Sequence, residues 1–139
     1  MKTKVGVALA CVLLLAQLFP VNRENPPVES EVPASAEVRR VLRNSCYDCH
    51  SHETRWPWYS RVAPFSWLVA HDVSHAREHL NFSAWNRYDP REQRKKLEEV
   101  WEEVEEGEMP LWYYLPFHAE ARLAEDDERR LRAWAMGGA

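Results

Sequence analysis

Five consecutive residues carry the most chemistry in this chain: Cys46, Tyr47, Asp48, Cys49 and His50. Two thiols separated by two residues, with an imidazole directly after, form the C-x-x-C-H pattern at which a c-type haem is attached. The spacing has a physical basis. Residues three apart in a helix share a face, so both sulfurs can form thioethers with the vinyl groups of one porphyrin. His50 then comes beneath the iron as proximal ligand. Thiol–disulfide exchange and zinc binding also use a C-x-x-C pair. The first belongs in a βαβ context, which the sequence lacks, and a four-cysteine zinc site needs a second pair. The chain has three cysteines, the third being Cys11 far upstream, so one covalent haem c is expected.

A thioether is available to complete the iron site. Gly107 stands where a helix usually stops, and Pro110 restricts Met109 to extended backbone. A methionine on such a loop can reach the sixth iron position, although filling cores is its commonest use. Met109 is the expected distal ligand, His118 the alternative, and Met136 a remoter one. The loop after the motif offers Arg55, Trp56 and Trp58 as contacts to the porphyrin. Arg55 and Arg61 can pair with its propionates through their planar forks, or remain solvated. His71, His75 and His79 recur every four residues. A second metal site would need a further ligand and supporting hydrogen bonds, so a partly solvated helix face is the default. Of the three, His71 lies nearest Trp67 in sequence and is the one expected near the haem or a partner.

Helices must position these groups. No Gly or Pro interrupts Ala34 to His50, and Val38, Val41, Leu42 and Ser45 run on into Cys46 and Cys49 on one helical face. The motif should therefore close the first helix of the domain. A second helix is expected over Ser66–Leu80, with Val69, Val73, Ala76 and Leu80 inward. The third, Arg91–Glu106, buries Leu97, Val100, Trp101 and Val104 and gains a Glu92–Lys96 pair. Leu111–Phe117 is aromatic enough to pack over a haem. A last helix, Glu125–Ala135, has acids in its first turn, turns Leu131, Trp134 and Ala135 inward and ends at Gly137 and Gly138.

The remainder sets the surroundings. At 139 residues there is room for one domain with a modest core, and a net charge of −4 excludes nucleic acid as a partner. Lys2 and Lys4 precede an apolar run from Val5 to Phe19, broken only by Gln17 and followed by no small-x-small cleavage site. Residues 1–21 thus read as an uncleaved membrane anchor with its lysines on the cytoplasmic side, Cys11 being one small apolar residue within it. Residues 22–33, with Pro26, Pro27 and Pro33, read as an extended tether, and 34–139 as the haem domain on the outer face of the inner membrane. Glu102, Glu103, Glu105, Glu106 and Glu108 crowd a helix C-terminus, where carboxylates oppose the macrodipole. They are either a solubilising run or an acidic edge for a redox partner with a basic docking face.

Several stretches together carry a family resemblance: Asn44-Ser45-Cys46-Tyr47-Asp48-Cys49-His50-Ser51, Thr54-Arg55-Trp56-Pro57-Trp58-Tyr59-Ser60-Arg61-Val62-Ala63-Pro64, Trp67-Leu68-Val69-Ala70-His71-Asp72, Leu80-Asn81-Phe82-Ser83 and Gly107-Glu108-Met109-Pro110. They resemble the small bacterial haem-binding domain family over roughly Ala34 to Met136. The resemblance implies a membrane-anchored c-type haem domain facing the periplasm, a kind sometimes found beside cytochrome c or di-haem peroxidase modules. The helix order also resembles class I cytochrome c, in which first and last helices cross and the methionine sits opposite the histidine. The expected fold is all-α and cytochrome c-like. The expected function is one-electron transfer with His50 and Met109 as axial ligands, not enzymatic catalysis. The alternative is a haem sensor or peroxidase-associated domain whose sixth ligand is open or displaceable, with His52, Arg55 or the three-histidine face on the distal side.

Overall fold

Local sequence signals account for most helix boundaries in the computed structural model, which describes residues 2–137. The elements are α1 (Lys2–Ala16), α2 (Ala36–Ser45), α3 (Tyr47–His50), α4 (Phe65–His79), α5 (Pro90–Glu105) and α6 (Glu125–Gly137), with short 3-10 turns at Trp58–Arg61, Trp85–Arg87 and Ala119–Ala121. Among the described residues the only β pairing is a lone bridge between Ser30 and Ala84, so the fold is all-α. Ser35 caps α2 by accepting from the Val38 amide at 3.3 Å. Asp89 and Glu92 form a reciprocal capping box at the start of α5, with Pro90 in its first turn. Gly107, at φ +75°, ends that helix in the left-handed conformation that glycine adopts without strain.

Three local expectations are corrected. The motif is not one continuous helix: the chain breaks at Cys46 (φ −125°), so α2 stops and the short α3 begins. Glu92 does not pair with Lys96, because its carboxylate is taken by the Asp89 amide and Lys96 bonds Glu99 instead. Gly137 still belongs to α6, and Gly138 lies outside the described residues.

The core joins α2, α5 and α6 around Val38, Val41, Leu42, Val100, Leu131, Trp134 and Ala135. Leu42 and Leu131 are completely buried, each contributing about 1.5–3 kcal/mol by leaving water. Arg40 pairs with Asp127 at 2.8 Å and the Trp134 indole donates to Pro33 O at 2.9 Å, so the first helix of the domain is fastened to the last.

The N-terminal quarter does not support the expected spanning anchor, and its tether segment packs against the domain. No helix among the described residues is long and apolar enough to cross a membrane. Helix α1 has 15 residues, about 22 Å at ~1.5 Å per residue, against ~30 Å of bilayer hydrocarbon. A turn at Gln17–Phe19 ends it, and none of its described residues is buried. Residues 22–33 are extended as expected but lie along the domain. Asn25 donates to Thr54 O, Glu29 N and Ser30 N donate to Ser83 O, and Val32 enters the core. Arg77 holds this segment with two bonds, to Glu24 O at 3.1 Å and Asn25 Oδ1 at 2.9 Å, and ties it to the loop after the motif with two more, to Ser51 O at 2.8 Å and Thr54 Oγ1 at 2.9 Å. Residues 22–33 are thus packed along the domain by these bonds.

Candidate functional site

Helix α3, one face of α4, one face of α5 and the Met109–Tyr114 segment enclose a cavity of about 820 Å³. That lies within the ~300–1,000 Å³ usual for cofactor-sized sites. Cys46, Cys49 and His50 form one part of the wall, and Met109 another. Four candidates separated in sequence thus meet at one cavity.

His50 is held in a defined state. Its Nδ1 lies 3.1 Å from Leu80 O, and a carbonyl can only accept, so Nδ1 carries the proton and Nε2 keeps its lone pair. The Phe82 amide donates to His50 O at 2.8 Å, fixing the backbone of the same residue. Burial pushes the imidazole pKa below its ordinary value, outweighing the Leu80 bond, and so favours the neutral form that a metal ligand requires. Burial likewise pushes the Cys46 and Cys49 thiols up to about 12. Thiols so protonated are poor nucleophiles, which opposes the disulfide-exchange reading. Among the described residues no three His, Cys, Asp or Glu side chains converge as a metal cluster, and that includes the His71–His75–His79 series.

Asp48, inside the motif, joins cavity floor to cavity roof. It accepts from Arg55 Nε (3.1 Å), Arg55 Nη2 (2.9 Å) and the Arg55 amide (2.8 Å), and from the Tyr114 hydroxyl at 2.8 Å. Burial first, then the neighbouring Asp48 charge, raises the Tyr114 pKa far above its usual range, so the phenol stays protonated and donates. The Met109 segment is fixed at its other end by Met109 N and Glu108 N, both donating to Glu103 O at 3.0 Å. The Met109–Pro110 peptide is cis.

Other sequence candidates lie elsewhere. His118 is outside the cavity wall. Its Nε2 meets the Tyr59 hydroxyl at 2.7 Å, its Nδ1 faces Glu120 at 3.4 Å, and its ring stacks on Tyr114 with centroids 3.9 Å apart. Arg55, Trp56 and Trp58, expected against the porphyrin, do not line the cavity either. Arg55 is drawn to Asp48, the Trp56 indole donates to Asn25 Oδ1 at 3.3 Å, and Trp58 is 74% exposed. His52 is buried with Nδ1 on Pro27 O and Nε2 on Asn81 Nδ2, each at 2.8 Å, so both nitrogens are engaged away from a distal site. Met136 is 59% exposed on α6.

Two of the three spaced histidines line the cavity, and several lining residues of α5 escaped the sequence reading. His75 and His79 reach the wall, with their Nε2 atoms 3.2 Å apart, whereas His71 does not. Lys95, Lys96, Glu99 and Glu103 enter from α5. A signal existed: positions 96, 99, 100 and 103 share one helical face, so polar side chains flank the buried Val100 at i, i+3, i+4 and i+7 spacing. The aromatic stretch contributes Leu111, Tyr113 and Tyr114, while Trp112 and Phe117 point outward.

The donor set fits a haem c. Two unpaired thiols, an imidazole with a free Nε2 and a thioether share one wall, and Phe82, Val100, Val104, Leu111 and Leu123 supply its apolar surface. Comparison with known proteins supports haem binding. Residues 11–137 match the family model described as a haem-binding domain. No curated protein and no solved structure matches the chain.

Proposed function

The chain belongs to the haem-binding domain family, and from that premise we propose that it is a membrane-associated monohaem c-type cytochrome that relays single electrons on the periplasmic side of the inner membrane. The observation carrying this reading is that Cys46, Cys49, His50 and Met109 line one cavity while His118 does not. Cys46 and Cys49 would hold the haem as thioethers, His50 would bind iron through Nε2, and Met109 would supply the sixth ligand. When bound, haem supplies a ferric/ferrous couple. The protein's part is to orient and to exclude water. The Leu80 carbonyl fixes the His50 tautomer and raises its donor strength. Phe82, Val100, Val104 and Leu123 keep the cavity apolar, and Asp48 with Tyr114 holds the roof over the floor. Lys95 and Lys96 are cations in the wall and take the propionate role that the sequence suggested for Arg55 and Arg61.

Two axial ligands from the chain favour electron transfer over oxygen chemistry, and no enzymatic activity is assigned. The exposed acids Glu102, Glu103, Glu105, Glu106 and Glu108 adjoin the Met109 loop and suit a redox partner with a basic docking face. Apolar α1, with Val and Leu exposed on every side, is the membrane-associating segment.

The test is ligation of the full chain matured with a c-type system. A low-spin ferric spectrum with a sulfur-to-iron charge-transfer band is expected, and high-spin iron would overturn the relay. One observation favours a second reading, a haem sensor or peroxidase-associated domain. Met109 sits on a half-buried loop with few attachments, as a displaceable ligand would.

A further inference from the structure

The surface where α1 meets the domain is unlike the rest of this acidic protein. The turn Trp58–Arg61 and the first half of α4 leave Trp58 74%, Val62 42%, Phe65 57%, Trp67 41% and Leu68 47% exposed. Phe117, 70% exposed, adjoins them through Tyr59, with ring centroids 5.6 Å apart. No Asp or Glu occurs between Glu53 and Asp72, although the chain carries a net charge of −4. The cation on the exposed surface of this corner is Arg61, with Arg23 beside it donating to Ser60 O. None of these residues lines the cavity.

Helix α1 is bonded to the same corner. The Gln17 amide donates to Ala63 O at 3.3 Å and accepts from Ala63 N at 3.0 Å, and the Trp67 indole donates to Phe19 O at 3.2 Å. Any apolar phase that receives the exposed leucines of α1 therefore begins beside Trp67 and Phe65. Aromatic rings with arginines, and no acid from Thr54 to His71, are the composition that settles at an anionic lipid headgroup layer; Glu120, held by His118 at 3.4 Å, is an acid at its rim.

We infer that this corner rests on the surface of an anionic phospholipid bilayer, so that the haem domain lies against the membrane and does not stand off on a tether. The inference rests on reading α1 as membrane-associated, but not on its crossing the bilayer. It fixes the orientation of the domain, with Trp58, Val62, Phe65 and Trp67 facing lipid.

The experiment uses the full-length haem-loaded protein in phosphatidylglycerol nanodiscs, with Cys11→Ser and a nitroxide at Val62→Cys or, as control, at exposed Glu98→Cys. Power saturation compares collisions with oxygen, which dissolves in lipid, and with a nickel chelate, which stays in water. The Val62 label should be oxygen-biased and the Glu98 label nickel-biased. Arg61→Glu, or discs of phosphatidylcholine, should shift the Val62 label toward the control while the haem spectrum stays unchanged. Equal nickel access at both labels, with protein still on the discs, would overturn the inference and leave the anchoring reading intact. Protein eluting apart from the discs would overturn both. Dipolar broadening at Val62 only in discs holding two copies would overturn it in favour of a second chain on this corner.

Discussion

The floor and the roof of the cavity are built by different means. The floor, α3, is tied at nearly every residue: Tyr47 is buried, Ser51 Oγ donates to Tyr47 O, and His50 is bonded through both ring and backbone. The roof, from Met109 to Tyr114, is tied to Glu103 O at one end. At the other, the Tyr113 hydroxyl donates to Asp72 at 3.2 Å and the Tyr114 hydroxyl to Asp48 at 2.8 Å, with no bond from Pro110 to Trp112 into the floor. Trp112 between them is 79% exposed. The proposed attachment residues thus sit on a preorganised wall, while the proposed sixth ligand, Met109, sits on one with fewer ties. Changes in the floor should be all-or-none, and changes in the roof graded.

The largest effect is expected in the floor. Replacing Cys46 and Cys49 together by alanine should make all haem extractable by acid acetone, whereas the unaltered protein should retain it. Mass spectrometry of the unaltered chain should show one haem added. His50→Ala should retain covalent haem through the cysteines but lose the low-spin spectrum. Retention of that spectrum would show that the floor does not supply the proximal ligand.

In the roof, Met109→Ala should keep the haem and lower its potential by roughly 0.1 V or more of the ~0.8 V that axial ligation spans, because thioether sulfur favours ferrous iron. Potentiometry with absorption spectra checks this. His118→Ala should leave the spectrum unchanged and cost about 1 kcal/mol of stability through loss of the Tyr59 bond. The reverse outcome for these two variants would make the ligation bis-histidine.

Tyr114→Phe gives a smaller and more diagnostic change. It removes one hydrogen bond to a carboxylate, about 1.5–3 kcal/mol, at the far attachment of the roof. Imidazole or cyanide should then displace Met109 several-fold faster, measured by stopped-flow absorption, with extraction behaviour unaltered. An unchanged displacement rate would mean that the roof is as rigid as the floor.

Sequence legibility divided along the same line. The floor was readable because its logic is local: thiol spacing, the adjacent histidine and the helix leading into them. Helices α5 and α6 were readable for the same reason, through the Leu97–Val100–Trp101–Val104 face, Gly107 and the acids at 125–128. Contacts between distant residues were not readable. Arg77 gathers Glu24, Asn25, Ser51 and Thr54, and no periodicity announces a side chain that closes a loop of about fifty residues. Arg55 was assigned to propionates on its charge, but Asp48 stood close enough to take both arms of the guanidinium. For α4 the histidine spacing was visible and its rotation was not. Only the packing of Val73 inward turns His75 and His79, and not His71, to the cavity.

The smallest effect concerns what meets the roof from outside. Glu102 and Glu103 line the cavity and Glu105, Glu106 and Glu108 follow, all exposed, on the helix that leads into Met109. Charges so placed act on a partner through solvent, and salt screens them over ~10 Å at about 0.1 M. They should therefore change association rate more than final affinity. Reversing Glu105, Glu106 and Glu108, which do not line the cavity, to lysine should leave haem content, spectrum and potential nearly as they were. Electron transfer to a basic partner should slow several-fold at low ionic strength, and its salt dependence should flatten or invert. The same reversal gives a control against general damage, because at high salt the altered and unaltered proteins should converge on one rate. If the unaltered protein's rate does not fall as salt rises, the acidic run only solvates a helix end, and the partner meets the haem elsewhere.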